Sequence, residues 1–380
     1  MLYPRPALLL ALALAAAPVH ATTPALPAES AQAEATVPAQ AEVMHVPTEL
    51  RRLVQQQVVA PGTSQQARLE RLAELVFAES GLALQYDYQT TRTVAQAWRD
   101  RRANCLSFTL LFVALAREAG LDAEVQEVGE VLAWYEDQGV VYNVDHVNAV
   151  VHIGGRTSVV DLDRNILASR QRPRRVSDAR AMAHYHNNRG AELLAAGEAT
   201  AALASLRASL ADDAGFVPAW NNLGVVLQRQ GDLEGAEQAF LAAVDLQPSF
   251  AAALSNLVAL YQRTGRTERA REYARRQQRI QRNDPFHQFL LAVRCENRGD
   301  YDCAIGHYRD AIRLQQDQHP FHFGLSRAYF LDGQPRRARR ELLRAHALAD
   351  TSQVRATYLR KLENLERWRE RGAAQASGGR

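Results

Sequence analysis

The chain has 380 residues, a formal net charge of +3 and a hydrophobic content of 47%. That length leaves room for two domains plus an export segment and a linker, and the apolar share excludes a chain disordered throughout. Its 45 basic residues include a single lysine, Lys361. The imbalance reflects base composition more than selection for phosphate contacts, and so argues against a nucleic-acid partner.

Residues 1–21 read as a secretory signal peptide. Arg5 is the only charge before the apolar run Ala7 to Ala17, and Val19-His20-Ala21 places small residues at −3 and −1 of a cleavage site after Ala21. The run is shorter than the roughly 20 residues a membrane span needs, and no later segment approaches that length. A periplasmic or secreted protein without membrane insertion is therefore expected. No cysteine near the cleavage site offers a lipid anchor. Residues 22–45 are almost entirely Ala, Pro, Thr, Glu and Gln, the composition of a disordered linker.

Residues 46–176 predict a mixed α+β domain. Helical patterns cover 48–58, 66–80 and 93–102, and a stronger one covers 105–119, stopped by Ala119-Gly120. The next stretch alternates like strands through Val125, Trp134, Val144–Ile153 and Thr157–Leu162. Asp137-Gln138-Gly139 and Gly154-Gly155 supply its turns.

Cys105 opens the strong helix, in Arg101-Arg102-Ala103-Asn104-Cys105-Leu106-Ser107-Phe108. A thiol at a helix N-terminus faces unpaired amides and the positive end of the dipole, which favours the thiolate. His146 and Asn148 lie on a strand. If Gly154-Gly155 is a two-residue turn, Ile153 pairs with Arg156, Asn148 faces Asp161 and His146 faces Asp163, all four on one side of the sheet. Asp161 is then diagonal to His146. A helix packed across that face brings Cys105 to the imidazole. The bland alternative for Cys105 is an inert buried thiol. His152, on the same strand face, reads as a surface histidine.

Asn104-Cys105-Leu106-Ser107-Phe108, followed by an apolar helix and Arg117-Glu118-Ala119-Gly120-Leu121, resembles the transglutaminase-like superfamily with its papain-type catalytic arrangement. The family order is a helix-start Cys, a strand His, then an Asp on the next strand about fifteen residues on. The resemblance covers roughly 48–175. It implies Cys105 as nucleophile, His146 as general base and acid, and Asp161 as the residue orienting the ring. It also implies attack on a Gln side chain or peptide bond, leading to cross-linking, deamidation or proteolysis. Two departures stand out. Ala103 occupies the place of a frequent family Gly, and Val160-Asp161-Leu162-Asp163 lacks the usual Pro, so Asp163 is an alternative to Asp161. A second oxyanion donor falls to Trp98, Gln96 or Asn104.

From residue 183 the chain repeats. Glycines 197, 231, 265, 299 and 333, and alanines 202, 236, 270, 304 and 338, recur every 34 residues. This is the period of tetratricopeptide (TPR) repeats, stacked helix-turn-helix units. The unit Val217–Phe250 resembles the TPR pattern at Trp220, Leu223-Gly224, Leu227, Gly231, Ala236, Phe240, Ala243 and Pro248. The expected units are 183–216, 217–250, 251–284, 285–318 and 319–352, closed by an amphipathic capping helix at 353–371. The glycine is expected where a side chain would crowd the turn, and the alanine where the two helices cross most closely.

The resemblance implies a protein or peptide partner on the concave face. Asn187, Asn221, Ser255, Phe289 and Phe323 line one family position there. The competing reading makes Phe286, Phe289, Phe323 and Phe330 packing residues. Cys295 and Cys303 lie on the two helices of one unit. They read either as a disulfide or as two packed thiols. With His307 they supply three of the four ligands a structural zinc needs. No His-Glu-x-x-His-type cluster occurs, and neither cofactor nor metal is expected. Two functional classes follow: a cysteine acyl-transfer or amide-hydrolysing enzyme that recruits its substrate through the repeats, or a non-catalytic exported scaffold.

Overall fold

The structure, a computed structural model, describes residues 37–60, 64–135, 140–162, 166–169, 173–349 and 351–377. The expected signal peptide, most of the expected 22–45 linker, the expected turn at 137–139 and Asp163 lie outside the described residues. The molecule is mostly helical, with an α+β region preceding a stack of helix pairs.

The N-terminal region begins earlier than its composition suggests. Helix α1 (Gln40–Val43) falls inside the expected linker, and Val43 is fully buried in the domain core with Val46. Helix α2 (Thr48–Val54) continues into a π-helical turn over Gln55–Val59. Helix α3 (Gln65–Phe77) is capped by Ser64, whose hydroxyl accepts from the amide of Ala67. Strand β1 (Gln85–Tyr86) pairs in parallel with β2 (Arg102–Ala103). Between them, α4 (Val94–Asp100) starts with a reciprocal capping box of Thr93 and Gln96.

Helix α5 (Cys105–Glu118) is the centre of this region. Every residue from Leu106 to Ala116 is buried, the signature of a helix covered on all sides. It packs on strands β3 (Asp122–Tyr135) and β4 (Val140–Ile153), with α2, α3 and α4 around it. Strand β5 (Arg156–Val160) pairs with β4, and β6 (Ile166–Ser169) and β7 (Arg174–Val176) pair with the other edge of β3, all antiparallel. Gly154 and Gly155 have φ of 56° and 78°, the left-handed pair that a two-residue hairpin turn requires. The register that follows is the expected one, with Ile153 opposite Arg156.

The repeats form five antiparallel helix pairs: α6 (Asp178–Ala195) with α7 (Ala199–Asp212), α8 (Val217–Gln230) with α9 (Leu233–Leu246), α10 (Ala251–Arg263) with α11 (Thr267–Arg282), α12 (Pro285–Asn297) with α13 (Tyr301–Leu314), and α14 (His319–Leu331) with α15 (Pro335–Leu348). The first pair opens five residues before the expected 183. Ser177 caps α6, and Ala181, Met182 and Tyr185 belong to the α+β core rather than to the repeat core. One helix therefore serves both halves.

The period glycines have φ between 72° and 89°, and a Cβ built at any of them meets no atom within 4 Å. Left-handed backbone, not crowding, selects glycine here. Crowding operates within the first helices of the first two units instead. A Cβ on Gly190 would lie 2.7 Å from Leu206, and one on Gly224 would lie 2.5 Å from Phe240. In the third unit the sizes are exchanged, with Val258 at the glycine position and Ala274 at the large one. That unit's second helix, α11, buries only Ala270, and the repeat core is interrupted there before resuming at Phe286. Helix α16 (Ser352–Ser377) closes the stack through buried Tyr358, Leu362 and Leu365 and extends beyond the expected 371. No helix among the described residues is long and apolar enough to cross a membrane.

Candidate active site

Two elements bring the chemistry together. Asn104 is the N-cap of α5: its Oδ1 accepts from the amide of Ser107 at 2.8 Å, and its Nδ2 donates to the Thr91 hydroxyl at 2.8 Å. Cys105 is thus the first helical residue, and helix geometry leaves its amide without an intrahelical acceptor. One turn on, the buried Thr109 hydroxyl lies 2.8 Å from the Cys105 carbonyl and 3.3 Å from the Val147 carbonyl. Helix α5 is thereby fixed to the strand that carries His146.

The β4–β5 ladder ends at Ala149 opposite Val160. Asp161 leaves the strand there instead of pairing across from Asn148. Its Oδ2 sits 2.7 Å from His146 Nε2 and 3.3 Å from Asn148 Nδ2. With Nε2 engaged, Nδ1 is the nitrogen left for Cys105. His146 is 3% exposed. Burial alone disfavours a charged ring, but the hydrogen bond it gives to Asp161, with the hydrogen bond to Cys105 and the charges of both, outweighs it and raises the imidazole from 6.5 to about 10. The direction of the shift favours the protonated ring. Cys105 is a free thiol and is partly accessible.

The three residues singled out by sequence, Cys105, His146 and Asp161, are brought to one place. Asp163 lies outside the described residues. Asn148 completes the cluster, and its Oδ1 is buried without a partner among the described residues. Of the three candidate oxyanion donors, Asn104 has both side-chain atoms committed to capping and to Thr91, and the Gln96 carbonyl takes the amide of Thr93. The indole N–H of Trp98 is buried and unpartnered among the described residues. His152, on the interior strand β4, is engaged with Thr157 of β5. Sequence reasoning missed Thr91 and Thr109. Thr109 is one helical turn from Cys105, which is a readable signal; Thr91 carries none, since its role depends on where a loop returns.

In the repeats, side-chain amides join across neighbouring units. Asn222 Nδ2 donates to Asn187 Oδ1 at 2.9 Å, Asn256 Nδ2 to Asn221 Oδ1 at 2.9 Å, and Asn221 Nδ2 to Asn222 Oδ1 at 3.2 Å. The expected aromatic half of this surface is corrected in part. Phe286 and Phe289 are buried, with Phe289 stacked on Phe321 at 5.2 Å, and Phe323 is covered by Tyr358 of α16. Apolar side chains next to a helix crossing gain more from packing than from exposure. Cys295 and Cys303 are joined as a disulfide. Cys295, Cys303 and His307 place their donor atoms within 4.8 Å of one another. Sulfurs bonded to each other are not thiolate ligands, so in this form the trio holds no zinc.

Residues 187–249, 226–285 and 291–353 match the tetratricopeptide repeat family model. The C-terminal half is a TPR array. None of the curated proteins compared with the chain matches it. Among solved structures, the MamA protein is 17% identical with a TM-score of 0.25, covering 44% of this chain and 91% of that one. YrrB, described as a TPR protein with an unusual peptide-binding site, is 17% identical with a TM-score of 0.25, covering 47% and 92%. PilF of Pseudomonas aeruginosa is 18% identical with a TM-score of 0.27, covering 50% and 94%.

Proposed function

We propose that this is an exported protein whose TPR array binds a protein or peptide and whose N-terminal domain acts on it by cysteine acyl transfer, in the manner of the transglutaminase-like superfamily. The partner-binding half is supported by the repeat match, since stacked repeats of this kind offer a groove to an extended peptide or a partner protein. The catalytic half rests on one observation: a helix-start Cys105, a buried His146 and Asp161 meet in hydrogen-bonding order.

In this reading the Cys105 sulfur attacks the carbonyl carbon of a carboxamide. The carbonyl electron pair moves to oxygen, held by the Cys105 amide. His146 then delivers its proton to the departing nitrogen, leaving a thioester on Cys105 and releasing ammonia or an amine. Having given up its proton, the neutral imidazole can then take one from the incoming amine or water. Collapse of the second intermediate returns the electron pair to sulfur and regenerates the pair. Asp161 stays ionised and holds the ring.

The rival reading, a non-catalytic scaffold, is favoured by a different observation: the family match covers the repeats alone. Incubating the full chain with casein and a fluorescent primary amine separates the two. Amine incorporation, ammonia release or casein cleavage that disappears in both Cys105→Ala and His146→Ala supports the enzyme. No product from the wild type, with Cys105 alkylating no faster than a free thiol, leaves the scaffold.

A further inference from the structure

The first repeat helix reaches into the cradle of the nucleophile helix. Glu192, on α6, accepts the backbone N–H of Thr91 at 2.7 Å. Thr91 is 1% exposed, so its amide has no water to turn to. The Thr91 hydroxyl receives Asn104 Nδ2, and Asn104 Oδ1 caps the turn that begins with Cys105. The next loop residue, Arg92, gives its own amide to Ser107 Oγ at 2.7 Å. The loop therefore grips the first turn of α5 at two points, through Asn104 and through Ser107, and both are buried. Glu192 is held in turn by Arg189 of the same helix at 2.5 Å. Five residues before Glu192, Asn187 begins the amide chain that crosses the repeats.

We propose that Glu192 is a positioning residue through which the repeat array sets the reactivity of Cys105. The proposal rests on the catalytic reading above. A carboxylate on a helix fixes an amide firmly, because an N–H donating to a charged acceptor is roughly twice as strong as one donating to a neutral group. Whatever moves α6 moves Thr91, and with it the side chain that caps the nucleophile. Among the described residues, the loop makes no other hydrogen bond to the repeats, so Glu192 is its link to α6 while Arg92 and Asn104 tie it to α5. Burial makes the link rigid: an unpaired Thr91 amide in that place would have to rearrange to find water.

The test is the rate of Cys105 alkylation by iodoacetamide against pH, on the full chain. Glu192→Leu should slow it roughly tenfold and displace the profile, since small misplacements of reacting groups cost about that much or more. Glu192→Gln, which keeps an acceptor oxygen, should restore most of the rate. Thr91→Val keeps the amide bonded to Glu192 but breaks the link to Asn104, and should slow alkylation to the same degree. Because the two act in series, the double variant Glu192→Leu/Thr91→Val should be no slower than either single one, whereas independent packing losses would multiply. His146→Ala separates the two ideas. If it slows alkylation while Glu192→Leu and Thr91→Val do not, the coupling is wrong and the catalytic pair stands. If His146→Ala changes nothing, the catalytic reading fails and takes the coupling with it. Should Glu192→Leu fail to fold, Thr91→Val alone decides: wild-type rate overturns the proposal.

Discussion

Thr109 joins Cys105 to Val147: one buried hydroxyl lies within hydrogen-bonding distance of both carbonyls, 2.8 Å from the first and 3.3 Å from the second. The relation explains how a helix and a strand that are far apart in sequence hold a sulfur against an imidazole. Val147 is the residue after His146, so the contact fixes the strand beside the ring itself. Thr109→Val preserves shape and leaves the Val147 carbonyl without its partner. The expected cost is about 1–2 kcal/mol of stability. Cys105 alkylation should fall roughly tenfold as the sulfur drifts from the ring. Denaturant melts and alkylation rates on the same samples check both.

Asp161 is the main support of the charged His146 ring. Asp161→Asn should bring the imidazole from about 10 back toward 6.5, read from its NMR titration. The sign for stability follows. A ring whose pKa is raised by folding contributes stability that is complete below about 6.5 and is lost as pH rises through about 10. The wild type should therefore lose stability across that window, and Asp161→Asn should flatten the loss. Equal slopes in the two proteins would mean that Asp161 does not hold the proton.

The parts of the fold that were legible in the sequence are those where one local rule decides. Gly154-Gly155 sets a hairpin, and the hairpin sets the register that carries Asp161 to the His146 side. The period of 34 places every helix pair after residue 217 within a residue or two of its position. What was not legible depends on distant partners. Val43 looks like part of a polar linker until a core forms over it, and α6 looks like the start of a repeat until Tyr185 is seen in the other domain. Thr91 and Glu192 are 101 residues apart and share no local pattern. The expected register carries the ladder on to Asn148 opposite Asp161, whereas it stops at Val160 and Asp161 turns toward the His146 ring from beyond the strand end.

Glu127 on β3 gathers Arg174 of β7 and Arg180 and His184 of α6, at 2.8, 2.6 and 2.7 Å. Burial opposes its charge, but these three donors hold the carboxyl well below the usual carboxylate range. A depressed pKa contributes stability that is present above the ordinary value of 4.5 and is lost as pH falls below it. Glu127→Gln should cost about 1–2 kcal/mol at neutral pH, since it weakens the charge-assisted hydrogen bonds from Arg174 and Arg180, the latter keeping its pair with Asp213. It should also shift acid unfolding of the α+β region to a less steep profile. An unchanged acid midpoint and slope would remove Glu127 from that role.

The Cys295–Cys303 disulfide closes a loop with a sequence separation of 8 across the α12–α13 hairpin. Thiol counting on unfolded, non-reduced protein should find Cys105 as the one free thiol per chain. Closing so short a loop restricts the unfolded chain modestly, so Cys295→Ser should lower stability by about 2–3 kcal/mol. Three free thiols in protein purified from an oxidising compartment would contradict the bridge.

The position of the domain border can be tested by truncation, because α6 is shared. A cut after Met182 severs that helix within its second turn. It removes Tyr185, which is 3% exposed in the α+β core, together with His184 from the Glu127 cluster and Glu192 from the Thr91 amide. Losing a buried tyrosine of this kind costs about 3–5 kcal/mol, a large part of what a domain this size has to spare. A cut after Phe216 keeps α6, α7 and the contact of Arg180 with Phe216 at 4.4 Å. Fragment 22–216 should therefore melt cooperatively, and fragment 22–182 should melt at a much lower temperature or without a cooperative transition. The fragments also divide the chemistry: Cys105 in 22–216 should alkylate at the full-chain rate, and in 22–182 it should not, since the cap held through Thr91 has lost its anchor. Calorimetry and alkylation of the two fragments measure this. If 22–182 melts as high and reacts as fast as 22–216, the border lies at residue 183 after all and α6 belongs to the repeats alone.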